Sequence, residues 1–368
     1  MALFAAAAGL ALLLVVLWDS FETILLPRRA SGPLSLARFV LEGLWAAWAG
    51  AARSIRDRTA RENFLSVYAI SALLVLFVVW AGALIVAFAL LHAALGSRVL
   101  AHGPVSFWTD LYLSGTTFFT LGLGDVVPTT RSARALTVVE AGMGFGFLAL
   151  VISYLPVLYQ AFSRREARIS MLDEWTGSPP SAAVLLRRGA EGGDPGAVAA
   201  LLHDWEVAAA ELLESHLSYP ILAHFRSQHD NQSWLASLTS VLDACALVIA
   251  GVEGLPVFQA RLTFAIARHA VVDISQVLGL RPEPPQPPRL DAADLERLRA
   301  WLAEGGVRLE PGERAAARLD ELRAMYEPYV HVLARHLLMP LPGWLPPERT
   351  RFNWRTTAWA RTARQDAH

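Results

Sequence analysis

Lysine is absent from this chain: all 32 of its basic residues are arginine, set against 33 acidic ones. The formal net charge of −1 implies no bulk electrostatic partner. Arginine-only usage beside abundant alanine reads as genomic composition, not function. Cysteine is reduced to Cys245, which excludes an intramolecular disulfide framework. Charge is scarce, at 18% of residues against 54% hydrophobic ones, and the apolar residues concentrate in the first 163. No Gly-x-Gly-x-x-Gly follows a strand pattern, so a dinucleotide-binding domain is not expected. No strand alternation appears after residue 163, which argues against a cyclic-nucleotide-binding barrel. His203, Glu206, Glu211, Glu214 and His216 share one predicted helix but lack His-Glu-x-x-His or Glu-x-x-His spacing. A solvated helix face is favoured over a metal site, and no enzyme is expected. The N-terminus lacks a basic leader and an Ala-x-Ala site before its charges, so its apolar run is expected to be retained.

What is present is a series of apolar segments. Residues 2–18 are uncharged, and the run continues past Asp19 and Glu22 to Leu26, enough for a first spanning helix over 1–26. Ionisable groups inside a span are functional candidates by default. Here they are expected at the interface, paired with Arg28, Arg29 or later arginines. Residues 27–63 contain an amphipathic helix whose stripe is Leu41, Leu44, Trp45, Trp48 and Ile55, read as lying on the membrane surface. Phe64 to Leu91 supplies 28 uncharged residues, and a further span runs from about Arg134 to Phe162.

Between the last two spans lies Thr116-Thr117-Phe118-Phe119-Thr120-Leu121-Gly122-Leu123-Gly124-Asp125. The uncharged run from Leu111 to Gly124, 14 residues, is too short to span and fits a re-entrant element. Non-helical backbone at that depth persists only when buried in protein or lining water. Gly122 and Gly124 reach backbone angles closed to other residues, so consecutive carbonyls can turn toward one axis above the Thr120 hydroxyl.

Thr-Leu-Gly-Leu-Gly-Asp resembles the selectivity filter of the bacterial tetrameric potassium-channel family, whose usual loop is Thr-Val-Gly-Tyr-Gly. The resemblance covers roughly residues 64–163. It implies an all-α membrane protein: a potassium-channel pore domain of outer helix, re-entrant pore helix with filter, and inner helix. To this are added an N-terminal transmembrane helix and an all-helical cytosolic domain. It also implies potassium ions held by Thr120, Leu121, Gly122, Leu123 and Gly124, with K+ the conducted ion and no other cofactor. Thr116, Thr117, Tyr112 and Asp125 would support the filter, Tyr112 holding Asp125. Leu123 departs from the family's tyrosine, and Thr116 stands where many members place a carboxylate. The implied assembly is a homotetramer, since one chain carries one filter. No span carries the repeated arginines of a voltage sensor.

Seven arginines fall in residues 27–63, and Arg164, Arg165 and Arg168 follow the last span, while Arg98, Arg131 and Arg134 alone flank the filter. The positive-inside bias therefore places the filter mouth and the N-terminus outside and the C-terminal region in the cytoplasm of the plasma (inner) membrane. His92 and His102 fall at the predicted extracellular turret of residues 93–106, and a pore helix is expected from about Ser106 to Phe118. On the inner helix, Gly144 resembles the family's gating hinge with Gly142 its rival. Pro156 should kink the helix, and a gate is expected around Tyr154 to Tyr159. Glu140 faces either the ion pathway or a polar network behind the filter, the latter favoured.

Residues 164–280 read as a helical domain with starts at Ser178-Pro179-Pro180 and Asp194-Pro195. The run 281–289 reads as a stiff Pro-rich linker, and 290–368 as a helical segment ending in a tail of arginines interleaved with Trp344, Phe352, Trp354 and Trp359. That tail suits a membrane surface, a neighbouring subunit or solvent, and no nucleic acid is expected. Partners are thus further copies of the chain, membrane lipids at the tail and the amphipathic linker, and an unknown cytosolic regulator. Two weaker readings are a poorly selective monovalent cation channel, motivated by Leu123, and a non-conducting membrane-anchored sensor or scaffold.

Overall fold

A computed structural model describes residues 1–24, 26, 35–96, 99–100, 106–228 and 231–346. Arg28, Arg29, His102 and the tail beyond residue 346 lie outside the described residues, and with them the expected pairing of Asp19 or Glu22 with those two arginines. The described residues are mostly helical with a single pair of two-residue strands, and the chain divides into two compact units, 1–160 and 161–368.

The first unit opens with α1, Ala2–Ile24, followed by α2, Leu36–Ser54, and α3, Arg58–Ser66. The outer helix is α4, Tyr68–Ala94. A Cβ on Gly9 of α1 would stand 2.8 Å from the Ala87 carbonyl oxygen and 3.1 Å from Leu90 Cβ of α4, so only glycine permits this approach. Ten residues along α1, Asp19 accepts from Trp80 Nε1 at 2.8 Å. As numbering rises on α1 it falls on α4, and the pair runs antiparallel. The first helix therefore packs on the outer helix of its own chain.

Asp19 does more than cap a span. It is buried, its Oδ1 accepts from Ser35 Oγ at 2.9 Å, and its Oδ2 accepts from the Ala37 backbone N–H at 2.9 Å. A carboxylate thus sits on the first turn of α2, where helix N–H groups lack internal partners. Among the described residues its partners are three uncharged donors, two at the start of α2 and one on α4. The tryptophan stripe of α2 is also turned inward: Trp48 stacks on Phe64 at 4.7 Å and donates to its carbonyl, and Trp45 meets Tyr68 edge-on at 4.8 Å.

Beyond α4, a two-residue strand β1 (Val99–Leu100) pairs antiparallel with β2 (Val127–Pro128), with Val99 opposite Pro128. Between them lies the pore helix α5, Phe107–Phe118, whose start is fixed by Thr109 Oγ1 accepting the Ser106 N–H at 3.1 Å. The inner helix α6, Arg131–Thr176, is 46 residues long, begins in the first unit and ends in the second. It runs well past the expected end at Phe162 because nothing after Pro156 breaks the helical pattern before Gly177.

The second unit is a helical bundle around α9, Trp234–Ala250, in which every residue except Ile249 is buried. Around it pack α7 (Ala182–Glu191), α8 (Pro195–Ser218), α10 (Val257–Val277), α12 (Glu313–Ala324) and α13 (Glu327–Leu337), with α11 (Ala292–Glu304) against α7. Asp194 caps α8 as expected by accepting from Gly196 N, and Ser233 and Asp291 likewise accept from Ala236 N and Asp294 N, whereas α7 starts at Ala182 after Ser181, beyond the expected Ser178. The Pro-rich run 281–289 does not separate two domains, because Leu298, Leu302, Leu319 and Leu322 share one core with Leu185, Leu202 and Leu242. At its end, part-buried Arg289 grips Asp243 of α9 through two bonds of 3.1 and 2.7 Å and Glu327 of α13 at 3.1 Å. Tyr326 also donates to Asp243.

Candidate functional site

The loop after α5 carries an alternation in its backbone. Thr120, Gly122 and Gly124 have φ of 57°, 56° and 78°, while the leucines between them do not take positive φ. In an ordinary strand successive carbonyls point to opposite sides. Alternating left- and right-handed residues cancel that reversal, so consecutive carbonyls can point one way. Two of the three positions are glycine, which carries no penalty there. Thr120 bears a cost of roughly 1–2 kcal/mol, and local hydrogen bonds hold it.

Those bonds come from the end of the pore helix. Thr117 O accepts from Thr120 N at 2.9 Å, and Thr116 O accepts from Leu121 N at 2.8 Å and from Gly122 N at 3.4 Å. Thr116 and Thr117 hold the loop with main-chain carbonyls. The Thr116 hydroxyl turns back to Leu113 O at 3.0 Å. At the loop's far end, Tyr112 Oη donates to Asp125 Oδ2 at 2.9 Å, and Asp125 Oδ1 accepts its neighbour's N–H. The side chains of Leu121 and Leu123 are more than half exposed within the single chain. Two apolar residues of the loop are thus left uncovered in one copy.

The inner helix presses on the base of this loop. A Cβ on Gly144 would lie 2.1 Å from the Phe118 carbonyl oxygen, an impossible contact, while nothing stands within 4 Å of Gly142 or Gly146. Gly144 is therefore a close-approach glycine against the pore helix.

Behind the pore helix lies a buried polar cluster. Glu140 of α6 has no exposed surface. Its Oε1 contacts Ser114 Oγ of α5, and its Oε2 lies 3.3 Å from His92 Nε2 of α4. Glu140 is thus in a rear network, not on an exposed face. His92, expected in an external turret, is fully buried inside the last turns of α4. Asp110, one turn before Ser114, is buried in the same region. Ser114 and Asp110 are not singled out by the sequence, and His92 is placed there at the turret. The available signal is an ionisable residue inside each of three segments, His92, Asp110 and Glu140, since such groups in a membrane pair with one another.

Residues 73–160 match the family model described as an ion channel. This segment is an ion-channel pore domain. No curated protein and no solved structure matches the chain. The channel domain and three helices long and apolar enough to cross a membrane among the described residues, Ala2–Ile24, Arg58–Ala94 and Arg131–Thr176, place the chain in a membrane.

Within the channel domain the expected gate needs one correction. Tyr154 is buried and meets Phe77 of the outer helix edge-on at 6.3 Å, so it does not lie on the open face of α6. Ile152, Leu155 and Tyr159 are exposed there. Pro156 lies inside the helix, which continues through it.

In the second unit, His203 and Glu206 form an exposed pair at 3.3 Å, and Gln259 donates to Glu206 at 2.7 Å. His216 departs from that face: it is buried, with Nε2 3.3 Å from Arg165 and Nδ1 2.8 Å from Leu212 O. Burial, then the Arg165 charge, pushes His216 down to about 3; burial, then His336 and Arg226, does the same to His224. Both are neutral at physiological pH. Arg165 donates to the carbonyls of Leu222 and Phe225 at 2.9 and 2.8 Å, which ties the end of α6 to the bundle.

Proposed function

We propose that the chain is one subunit of a homotetrameric, potassium-selective channel that conducts K+ passively across the plasma membrane. The observation that carries this is the alternation of left-handed residues at Thr120, Gly122 and Gly124 in a loop between two apolar helices. Such a loop supplies one quarter of a ring of carbonyl oxygens, which can replace the hydration shell of a monovalent cation. The inner helix supports assembly around an axis, because only 11% of its apolar stretch is buried within one chain. The arginine distribution favours the filter mouth and N-terminus outside and residues 161–368 in the cytoplasm. That bundle is the regulator in this reading, acting through α6. Membrane lipids would meet the exposed apolar faces, the amphipathic linker and the basic tail. Neither a further cofactor nor catalysis is part of the account.

Reconstituted, purified protein tests it. A detergent-solubilised mass of four chains and K+ flux exceeding Na+ flux support the proposal. A dimer, or no flux even after residues 172–368 are deleted, counts against it.

A second reading is a weakly selective monovalent cation channel, motivated by Leu123 in place of the family's tyrosine. If it holds, Leu123→Tyr raises the K+ over Na+ flux ratio; an unchanged ratio removes its motive.

A further inference from the structure

The buried cluster behind the pore helix contains more acceptors than ionised groups can serve. Ser114 Oγ lies 2.8 Å from the Ile85 carbonyl oxygen and also contacts Glu140 Oε1. A serine hydroxyl has a single hydrogen to donate. A backbone carbonyl and an ionised carboxylate are both acceptors only. If Glu140 were ionised, one of the two contacts would press oxygen lone pairs together with no hydrogen between them. If Glu140 carries its proton on Oε1, every contact is served in one direction. Glu140 Oε1–H donates to Ser114 Oγ, Ser114 Oγ–H donates to Ile85 O, and Glu140 Oε2 accepts from His92 Nε2–H at 3.3 Å.

The setting agrees with this count. Glu140, His92 and Ser114 are without exposed surface, and the helices that carry Glu140 and His92 are long and apolar enough to cross a membrane. A charge placed there is costly, whereas a neutral acid with its hydrogen bonds made is tolerated. The groups that face Glu140 are His92 from α4 and Ser114 from α5, with Asp110 one turn before Ser114. Asp110 is buried, and among the described residues its Oδ1 finds no hydrogen-bond partner. No described arginine lies among these groups.

We propose that Glu140 is held as a neutral carboxylic acid and acts as a positioning residue for the filter. It joins the outer, pore and inner helices through one directed chain of hydrogen bonds. Ser114 sits one turn before Phe118, whose carbonyl the inner helix touches at Gly144. The brace therefore fixes the pore helix that carries Thr116 and Thr117, and through their carbonyls the filter backbone.

The test has a spectroscopic arm and a conduction arm, both on the full-length protein in lipid. The infrared spectrum of the wild type should contain a protonated-carboxyl band that disappears in Glu140→Gln. Glutamine offers a donor and an acceptor in the same places, so Glu140→Gln should keep wild-type assembly and K+ over Na+ flux ratio. Ser114→Ala and Glu140→Ala should each lower that ratio about tenfold, the scale set by one buried group left without its partner. Absence of the band overturns the proposal whatever the fluxes do. Loss of assembly or selectivity in Glu140→Gln also overturns it, because an ionised pair with His92 predicts that loss. The conduction arm rests on reading residues 120–124 as the filter. A band present in a wild type that conducts no ion would overturn that reading and leave the neutral acid standing.

Discussion

Two apolar helices of similar composition meet opposite fates in this molecule. α9 of the second unit is buried at all but one of its residues, whereas the apolar stretch of α6 is only 11% buried. Both are rich in Leu, Val and Ala, so hydrophobicity alone does not decide where a helix ends. In the bundle, the chain itself covers α9 from several sides. In the pore unit the chain covers one stripe of α6, at Gly144, Phe147 and Tyr154, and leaves Val138, Phe145, Leu148 and Ile152 open. A soluble protein cannot keep such a face uncovered. The difference teaches that α9 finds its cover within one chain, while α6 leaves a face for lipid and, in the proposed assembly, for its own copies.

The largest effect should come from the bundle's buried ion network. Asp243→Ala removes the two-bond partner of Arg289 and the acceptor of Tyr326, leaving a part-buried charge without its main counter-ion. Breaking such a pair costs about 3–5 kcal/mol, so chemical unfolding followed by near-UV circular dichroism should show a second unit destabilised by that order. Retention of wild-type stability would mean that the network is not closed as described.

Paired leucine truncations sharpen the contrast directly. Leu242→Ala, at a fully buried site, should cost about 2–5 kcal/mol in the same unfolding experiment. Leu148→Ala, on the open face of α6, should leave that unfolding unchanged and show itself in subunit assembly. Equal effects of the two on the bundle would erase the distinction.

Gly144→Ala inserts a methyl where the Phe118 carbonyl already stands. Overpacking of this kind costs about 1–3 kcal/mol, and the expected result is a reduced melting temperature of the pore unit with lost flux. Gly142→Ala, with open space within the chain, should be milder. A reversed order would favour Gly142 as the constrained position.

Acid should weaken the bundle before neutral or mildly basic pH does. The folded pKa of His216 and His224 is depressed to about 3, below the ordinary 6.5. Between those values the unfolded chain binds protons that the folded chain refuses. The contribution is therefore present above about pH 6.5 and lost as pH falls toward 3. Melting at pH 7 and pH 5 should show the lower midpoint at pH 5, and replacing His216 with Asn should reduce that difference.

The smallest effect expected is from Tyr112→Phe. It removes one hydrogen bond to Asp125 at an exposed site, where water replaces the lost partner, and should change the flux ratio only slightly. A collapse of selectivity would show that this single hydroxyl holds the filter.

Much of the pore unit was legible because its signals are local. An uncharged run of the wrong length for a span, alternating glycines, and Tyr112 at the right remove from Asp125 all lie within a few turns. The pore helix ends where the sequence implied, at Phe118. The errors came where partners are distant in sequence. His92 looked external because it ends an apolar run, yet Glu140, 48 residues later, draws it inside. Asp19 takes donors from Ser35, Ala37 and Trp80, the last 61 residues away, and no local spacing marks that tryptophan. Tyr154 was placed at a gate by its position near Pro156, although Phe77 of the outer helix claims its ring. In the bundle, the prolines of 281–289 looked like a boundary because stiffness is visible in sequence and the Arg289–Asp243 bond is not.

The measurement that tests the central claim most directly is the reversal potential of current through reconstituted protein with K+ on one side and Na+ on the other. Gly122→Ala, which places a side chain at a left-handed residue of the loop, is the paired control. A reversal potential displaced strongly in the direction of K+ selectivity, and abolished or moved toward zero by Gly122→Ala, is the result the account predicts. A wild-type potential near zero, or a K+-selective one untouched by Gly122→Ala, would contradict it.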